Sequence, residues 1–155
     1  MRFLLLICFL SSLSTCAQKV DAYQIRTIAF YNLENLFDTK NDTLIFDDDR
    51  TPEGKDNWTE ERYLKKLENM SKVISEIGST DNKTAPDIIG VCEIENLGVL
   101  EDLVHHKNLA KFNYGIVHFE SPDERGIDVA LLYKKSAFVP VNFNSHRLLL
   151  FNLEG

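Results

Sequence analysis

The apolar positions of the chain change rhythm several times. From Tyr23 to Asp38 (YQIRTIAFYNLENLFD) the strand formers Ile25, Thr27, Ile28, Phe30 and Tyr31 place apolar side chains on both faces of an extended stretch. This pattern predicts a central strand covered on both sides and ending at Asn32. From Trp58 to Gly78 the spacing becomes i, i+3, i+4. Tyr63, Leu64, Leu67, Met70, Val73, Ile74 and Ile77 predict one apolar stripe on a helix, with Asn57 or Thr59 as its cap and Gly78 as its stop. The other face carries Glu61, Lys65, Lys66, Glu68 and Lys72 and reads as solvated.

After Pro86 and Asp87 comes a second strand, IIGVC, which runs into Glu93, Glu95 and Asn96. Leu97 to Ala110 reads as a short amphipathic helix. Its adjacent His105 and His106 point apart, so they are expected at the surface or as caps rather than as a metal pair. Four apolar runs follow: NYGIVHFE, GIDVALLYK, AFVPVNF and HRLLLFNLE. They predict four successive strands, with the turn Ser121 to Gly126 between the first two. The resulting order is strand, helix, strand, helix and then a strand meander, a mixed α/β (α+β) domain without an internal repeat. The polar segment Asp38 to Asn57 reads as a long solvated loop. Its run Asp47 to Asp49 lacks the spacing and glycine of a calcium-binding EF-hand.

Composition narrows the classes. The chain of 155 residues is 44% hydrophobic and 26% charged, enough for one modest folded domain. Its net charge of −7 lacks the basic footprint of a protein that coats nucleic acid, but leaves room for an enzyme that meets phosphates through a cation. Met1 to Ala17 has a short basic start, an apolar core from Phe3 to Leu13 and small residues before Gln18. It predicts a signal peptide over residues 1–17, followed by a domain over 22–155 and an exported protein, secreted or periplasmic. The alternative is a lipid anchor at Cys16, giving a membrane-attached lipoprotein. Neither reading includes a membrane span in the mature chain. With Cys8 and Cys16 in the leader, Cys92 alone remains, so the domain is no disulfide scaffold. Cys92 is expected to behave as a small core residue rather than a nucleophile.

The chemistry sits at two strand ends, Asn32 after IAFY and Glu93 after IIGVC. If these strands are neighbours, the amide and the carboxylate meet on one rim. A carboxylate there suits a hard cation, and an asparagine can orient it or a phosphate oxygen. Arg125, in the turn before the apolar run DVALLY, reads either as a phosphate contact or as a turn residue. Asp128, inside that run, needs a partner, either structural or in the site. Glu95 and Asn96 read as a loop residue and a helix cap.

The ordered trio IAFYNLENLFD, IIGVCEIEN and ERGIDVALLYK, with the helix between the first two, resembles the endonuclease/exonuclease/phosphatase (DNase I-like) superfamily over Thr27 to Tyr133. The resemblance implies a four-layer DNase I-like sandwich, two packed sheets with helices outside. It implies Mg2+ (or Mn2+ or Ca2+) and hydrolysis of a phosphodiester or phosphomonoester, with nucleic acid among the substrates. Glu93 matches the metal-binding glutamate, and Cys92 stands where a glutamine is usual. Asn32 matches the asparagine that positions metal or phosphate, so the implied metal residues are Glu93 and Asn32. The family's catalytic histidine, Asp-x-Asn pair and terminal Asp-His pair lie further along its chains, and no Asp-His dipeptide occurs here. The chain therefore reads as the N-terminal portion of such a domain, truncated at the C-terminus and inactive on its own. The alternative reading is a non-catalytic binding or structural protein on a nuclease-like fold.

Overall fold

The structure is a computed structural model that describes residues 23–146. The leader and almost all of the last expected strand, HRLLLFNLE, lie outside the described residues. Four strands form one sheet in the order β1-β2-β4-β3. They are β1 (Ile28–Leu36), β2 (Ile88–Ile94), β3 (Tyr114–Phe119) and β4 (Asp128–Lys134). β1 and β2 run parallel, with Ile28 opposite Ile88 and Asn32 opposite Cys92. β4 is antiparallel to both β2 and β3. Among the described residues three α-helices accompany the sheet: α1 (Glu60–Glu76), α2 (Ser79–Asn82) and α3 (Leu97–His105).

The helices and one face of the sheet make one core. Leu33, Ile89, Val91 and Leu132 of the strands pack with Leu67, Met70 and Ile74 of α1 and Val99, Leu100 and Leu103 of α3. Each of these large side chains contributes roughly 2 kcal/mol by leaving water. The buried line of α1 is Tyr63, Leu67, Met70, Ser71 and Ile74. Leu64 and Val73, expected in the apolar stripe, are exposed. Ser71 takes a buried place because its hydroxyl is satisfied, donating to the Glu68 carbonyl and lying 2.7 Å from His106 Nδ1. Gly78 ends the helix in the left-handed conformation, as its place in the sequence predicts.

The opposite face of the sheet is open among the described residues. Ile28, Phe30 and Val129 are 73%, 71% and 61% exposed there. The expectation that β1 is covered on both faces therefore fails within residues 23–146, which form a sheet with helices on one side. The run AFVPVNF makes no strand: Pro140 lacks the N–H that a ladder needs, and Val139 and Val141 are exposed. No helix among the described residues is long and apolar enough to cross a membrane.

The end of the sheet where β1 and β2 begin is tied by Asp87. Its buried carboxylate accepts the Thr27 amide at 3.0 Å and pairs with Arg26 at 3.2 Å and Lys134 at 3.4 Å. Its backbone joins in, donating to the Thr27 carbonyl and accepting from the Lys134 amide. Burial alone would raise the Asp87 pKa. The Thr27 amide, Lys134 and Arg26 overcome it and hold the carboxyl below its ordinary range.

A group whose pKa is depressed on folding stabilises the fold above its unfolded pKa and loses that contribution as pH falls through its folded pKa. We therefore expect Asp87→Asn to cost about 3 kcal/mol at pH 7 by urea unfolding, because it leaves Lys134 buried without its anion. The penalty should begin to shrink below about pH 4, as the unfolded chain's carboxyl takes up its proton, and fade as pH falls on through the lower folded pKa. An equal penalty at both pH values would show that the carboxylate charge contributes nothing.

Candidate functional site

At the other end of the sheet both parallel strands break their ladder. The β1–β2 register passes from Asn32↔Cys92 to Leu36↔Ile94, four residues on β1 against two on β2. The β2–β4 register also shifts between Cys92 and Ile94. Glu93 is thus a bulge residue, and its φ of 58° is left-handed. Glu34 and Asn35 on β1 are left-handed too, at φ 52° and 60°. Such conformations cost on the order of 1 kcal/mol each for residues with a Cβ, and bulges re-aim side chains at a strand end. The expectation that β1 ends at Asn32 is corrected: the strand continues through this irregularity to Leu36.

The bulges bring the two expected residues together. Asn32 Nδ2 donates to Glu93 Oε1 at 2.8 Å, and the Glu34 amide donates to Asn32 Oδ1 at 2.6 Å. The side-chain amide is held at both ends, and it offers N–H rather than oxygen to Glu93. Lys66 closes the arrangement from α1, donating to the carbonyls of Glu34 and Asn35. It is half-buried rather than solvated. Burial lowers its pKa, with Glu34 and Glu93 opposing that shift and Arg50 adding to it. A cleft of about 720 Å³ adjoins this point, lined by Glu34, Trp58, Arg62, Lys65 and Lys66 among others.

Arg125 is exposed in the β3–β4 turn and bound to Asp123 through Nε at 3.0 Å and Nη2 at 2.7 Å. Asp123 raises the Arg125 pKa, with Glu93 adding a smaller effect from the rim, while Arg125 pulls the Asp123 pKa down to about 2. Arg125 is therefore a turn residue by contact that lies within electrostatic reach of Glu93.

The neighbours of Glu93 divide by environment. Cys92 is half-buried, and burial, with the Glu93 charge adding, pushes its thiol above the ordinary value, opposite to what a thiolate nucleophile needs. Glu95 is buried and accepts the Asp38 amide at 2.6 Å. Burial raises its pKa to about 7; the Asp38 amide opposes this, and the charges of Asp38, Asp47 and Asp42 add to it. Glu95 thus ties down the loop after β1. Asn96 caps α3 by accepting the Val99 amide at 3.1 Å, as expected. Asp128 finds its partners in His118 Nε2 at 2.8 Å and the Ser121 amide at 2.7 Å. His105 is exposed with Nδ1 2.8 Å from the Glu101 carbonyl, and His106 reaches Ser71. In the acidic run, Asp48 and Asp49 are exposed, but Asp47 is buried with Oδ2 accepting the Asp42 amide, so that part of the loop is not solvated.

The sequence profile described as the Endonuclease/Exonuclease/phosphatase family matches residues 27–154. The chain belongs to that family. No curated protein and no solved structure matches the chain. Endonuclease/exonuclease/phosphatase proteins are nuclease- and phosphatase-type hydrolases, and the mixed α/β sheet with its helical layer is in keeping with part of the family's DNase I-like fold. Divalent metals are general in this family. The donors at Glu93 fit one hard cation that keeps most of its water: one oxygen is fixed by Asn32, and among the described residues no group of three ligating side chains surrounds Glu93. Sequence reasoning missed Lys66 and Glu34. Lys66 lies beside the buried line Tyr63–Leu67–Met70, where a lysine stem commonly packs while its ammonium reaches out. That position was the available signal.

Asn32→Asp changes one atom group and sets two carboxylates in contact. We expect a loss of about 1–2 kcal/mol at pH 7 by urea unfolding, recovered by millimolar Mg2+ or by acidification toward pH 4. Unchanged stability at pH 7 without metal would show that the 2.8 Å contact does not form.

Proposed function

We propose that this protein is a divalent-metal-dependent phosphoesterase that hydrolyses phosphodiester or phosphomonoester bonds. The observation that carries this reading is the Asn32–Glu93 contact on the bulged rim of a sheet belonging to a hydrolase family. Glu93 is the proposed metal ligand, with its free oxygen toward the cation. Asn32 is its positioning residue, since its amide N–H groups hold the carboxylate and its oxygen is engaged by Glu34. A cation held there, Mg2+ or the related Mn2+ or Ca2+, would supply charge to a phosphoryl oxygen and to the leaving oxyanion. Arg125 is the proposed phosphate contact; its guanidinium exchanges Asp123 for a phosphate oxygen, both bidentate partners. Nucleic acid is one substrate that fits these contacts. The sequence features of residues 1–17 support export, with release by cleavage after Ala17 or anchoring through a lipid on Cys16.

The test uses the protein expressed from its complete reading frame, assayed on bis-p-nitrophenyl phosphate and p-nitrophenyl phosphate. Glu93→Gln should reduce Mg2+-stimulated hydrolysis at least a hundredfold, about 2.7 kcal/mol of lost transition-state stabilisation. Cys92→Ser should keep most of the activity. Hydrolysis that survives Glu93→Gln would remove Glu93 from the metal site. Hydrolysis that survives EDTA would end the metal-dependent reading.

A further inference from the structure

A second cluster of ligating side chains lies on the helical side of the sheet, at the β3–β4 hairpin. His118, near the end of β3, and Glu120, two residues on, share one side of the extended chain, and Asp128 opens β4 across the turn. One ligand atom from each of these three residues lies within 4.8 Å of the other two. The His118 and Asp128 side chains are 7% and 2% exposed. Glu120 is exposed and takes part in no ion pair among the described residues.

We propose that His118, Glu120 and Asp128 form a binding site for one zinc-class divalent cation that clamps the β3–β4 turn. The donor set decides the class. An imidazole nitrogen with two carboxylates suits Zn2+ and its transition-metal neighbours, whereas Mg2+ and Ca2+ favour oxygen alone. Tetrahedral Zn2+ holds its ligand atoms about 3.3 Å apart, given bonds of about 2.0–2.1 Å. His118 Nε2 and Asp128 Oδ2, at 2.8 Å, need to open by a few tenths of an ångström. Glu120 reaches in by rotating a free side chain, and the fourth position is left to water.

The second oxygen of Asp128 already accepts the Ser121 amide, which fixes the orientation of the carboxylate in the manner of outer hydrogen bonds around metal ligands. Without metal, His118 Nε2 and Asp128 Oδ2 are joined by the 2.8 Å hydrogen bond. With metal, the residues on both sides of the turn are joined, and that turn carries Arg125. The site is distinct from Glu93, whose cation is of the all-oxygen kind, and it does not depend on the protein being a catalyst.

Zn2+ titration by calorimetry in saturating Mg2+ tests this directly. We expect one Zn2+ per chain in the wild type and in Glu93→Gln. Affinity should fall at least tenfold in Glu120→Gln, whose exposed side chain leaves the fold intact, and in His118→Gln. Hydrogen exchange at Asp123 to Gly126 should slow on adding Zn2+ to the wild type and not to Glu120→Gln. The proposal is overturned if no Zn2+ binds at one per chain. It is equally overturned if both hairpin variants bind as the wild type does, or if His105→Ala or Glu93→Gln abolishes the binding instead.

Discussion

The buried carboxylate of Asp87 is the constraint from which the remaining geometry follows. It bonds to β1 through the Thr27 amide and to β4 through Lys134, so three adjacent strands are referenced to one side chain. Parallel strands have no tight turn to set their register, and a slip of one residue would reverse every side chain in the strand. With Ile28 fixed opposite Ile88, Asn32 falls opposite Cys92 four residues later, about 13 Å away toward the far edge. An ion pair at one end of the sheet thus determines which groups meet at the other.

The far edge solves a different problem, that of placing acid at the end of an apolar strand. Regular alternation would send Glu93 toward the face that buries Val91 and Ile94. A left-handed bulge turns it to the rim, where an amide and two cations balance it. Each cation is held by an anchor of its own: Lys66 by the carbonyls of Glu34 and Asn35, Arg125 by Asp123. A chain of net charge −7 therefore places two cations close to Glu93, each already matched by a partner of its own.

Much of this was legible in the sequence, and the reasons differ by residue. The strands IAFY and IIGVC and the helix ending at Gly78 follow from local patterns, because β-branched runs, helical spacing and a stop glycine act over a few residues; the meeting of Asn32 with Glu93 was legible only on the condition that the two strands are neighbours, which the β1–β2 pairing supplies. The exposure of Leu64 and Val73 was not legible: a stripe of i, i+3, i+4 residues is wider than the strip a sheet covers, and only packing selects the centre. The run AFVPVNF has strand propensity, but it finds no ladder partner among the described residues and contains Pro140. Buried Asp47 was hidden inside a charge run, since nothing local separates the one aspartate that folds inward from its two exposed neighbours. The left-handed bulge could not be read either, as glutamate is an unusual occupant of that conformation.

That last point bears on how the protein would respond to selection. Glu34, Asn35 and Glu93 all hold backbone shapes that glycine adopts freely. At each of them the easiest stabilising change is the loss of the side chain. A laboratory screen that rewards thermal tolerance alone would drift toward glycine at these positions and erase the rim while improving the sheet. Where glutamate persists at position 93 in spite of that gradient, something other than folding is keeping it there.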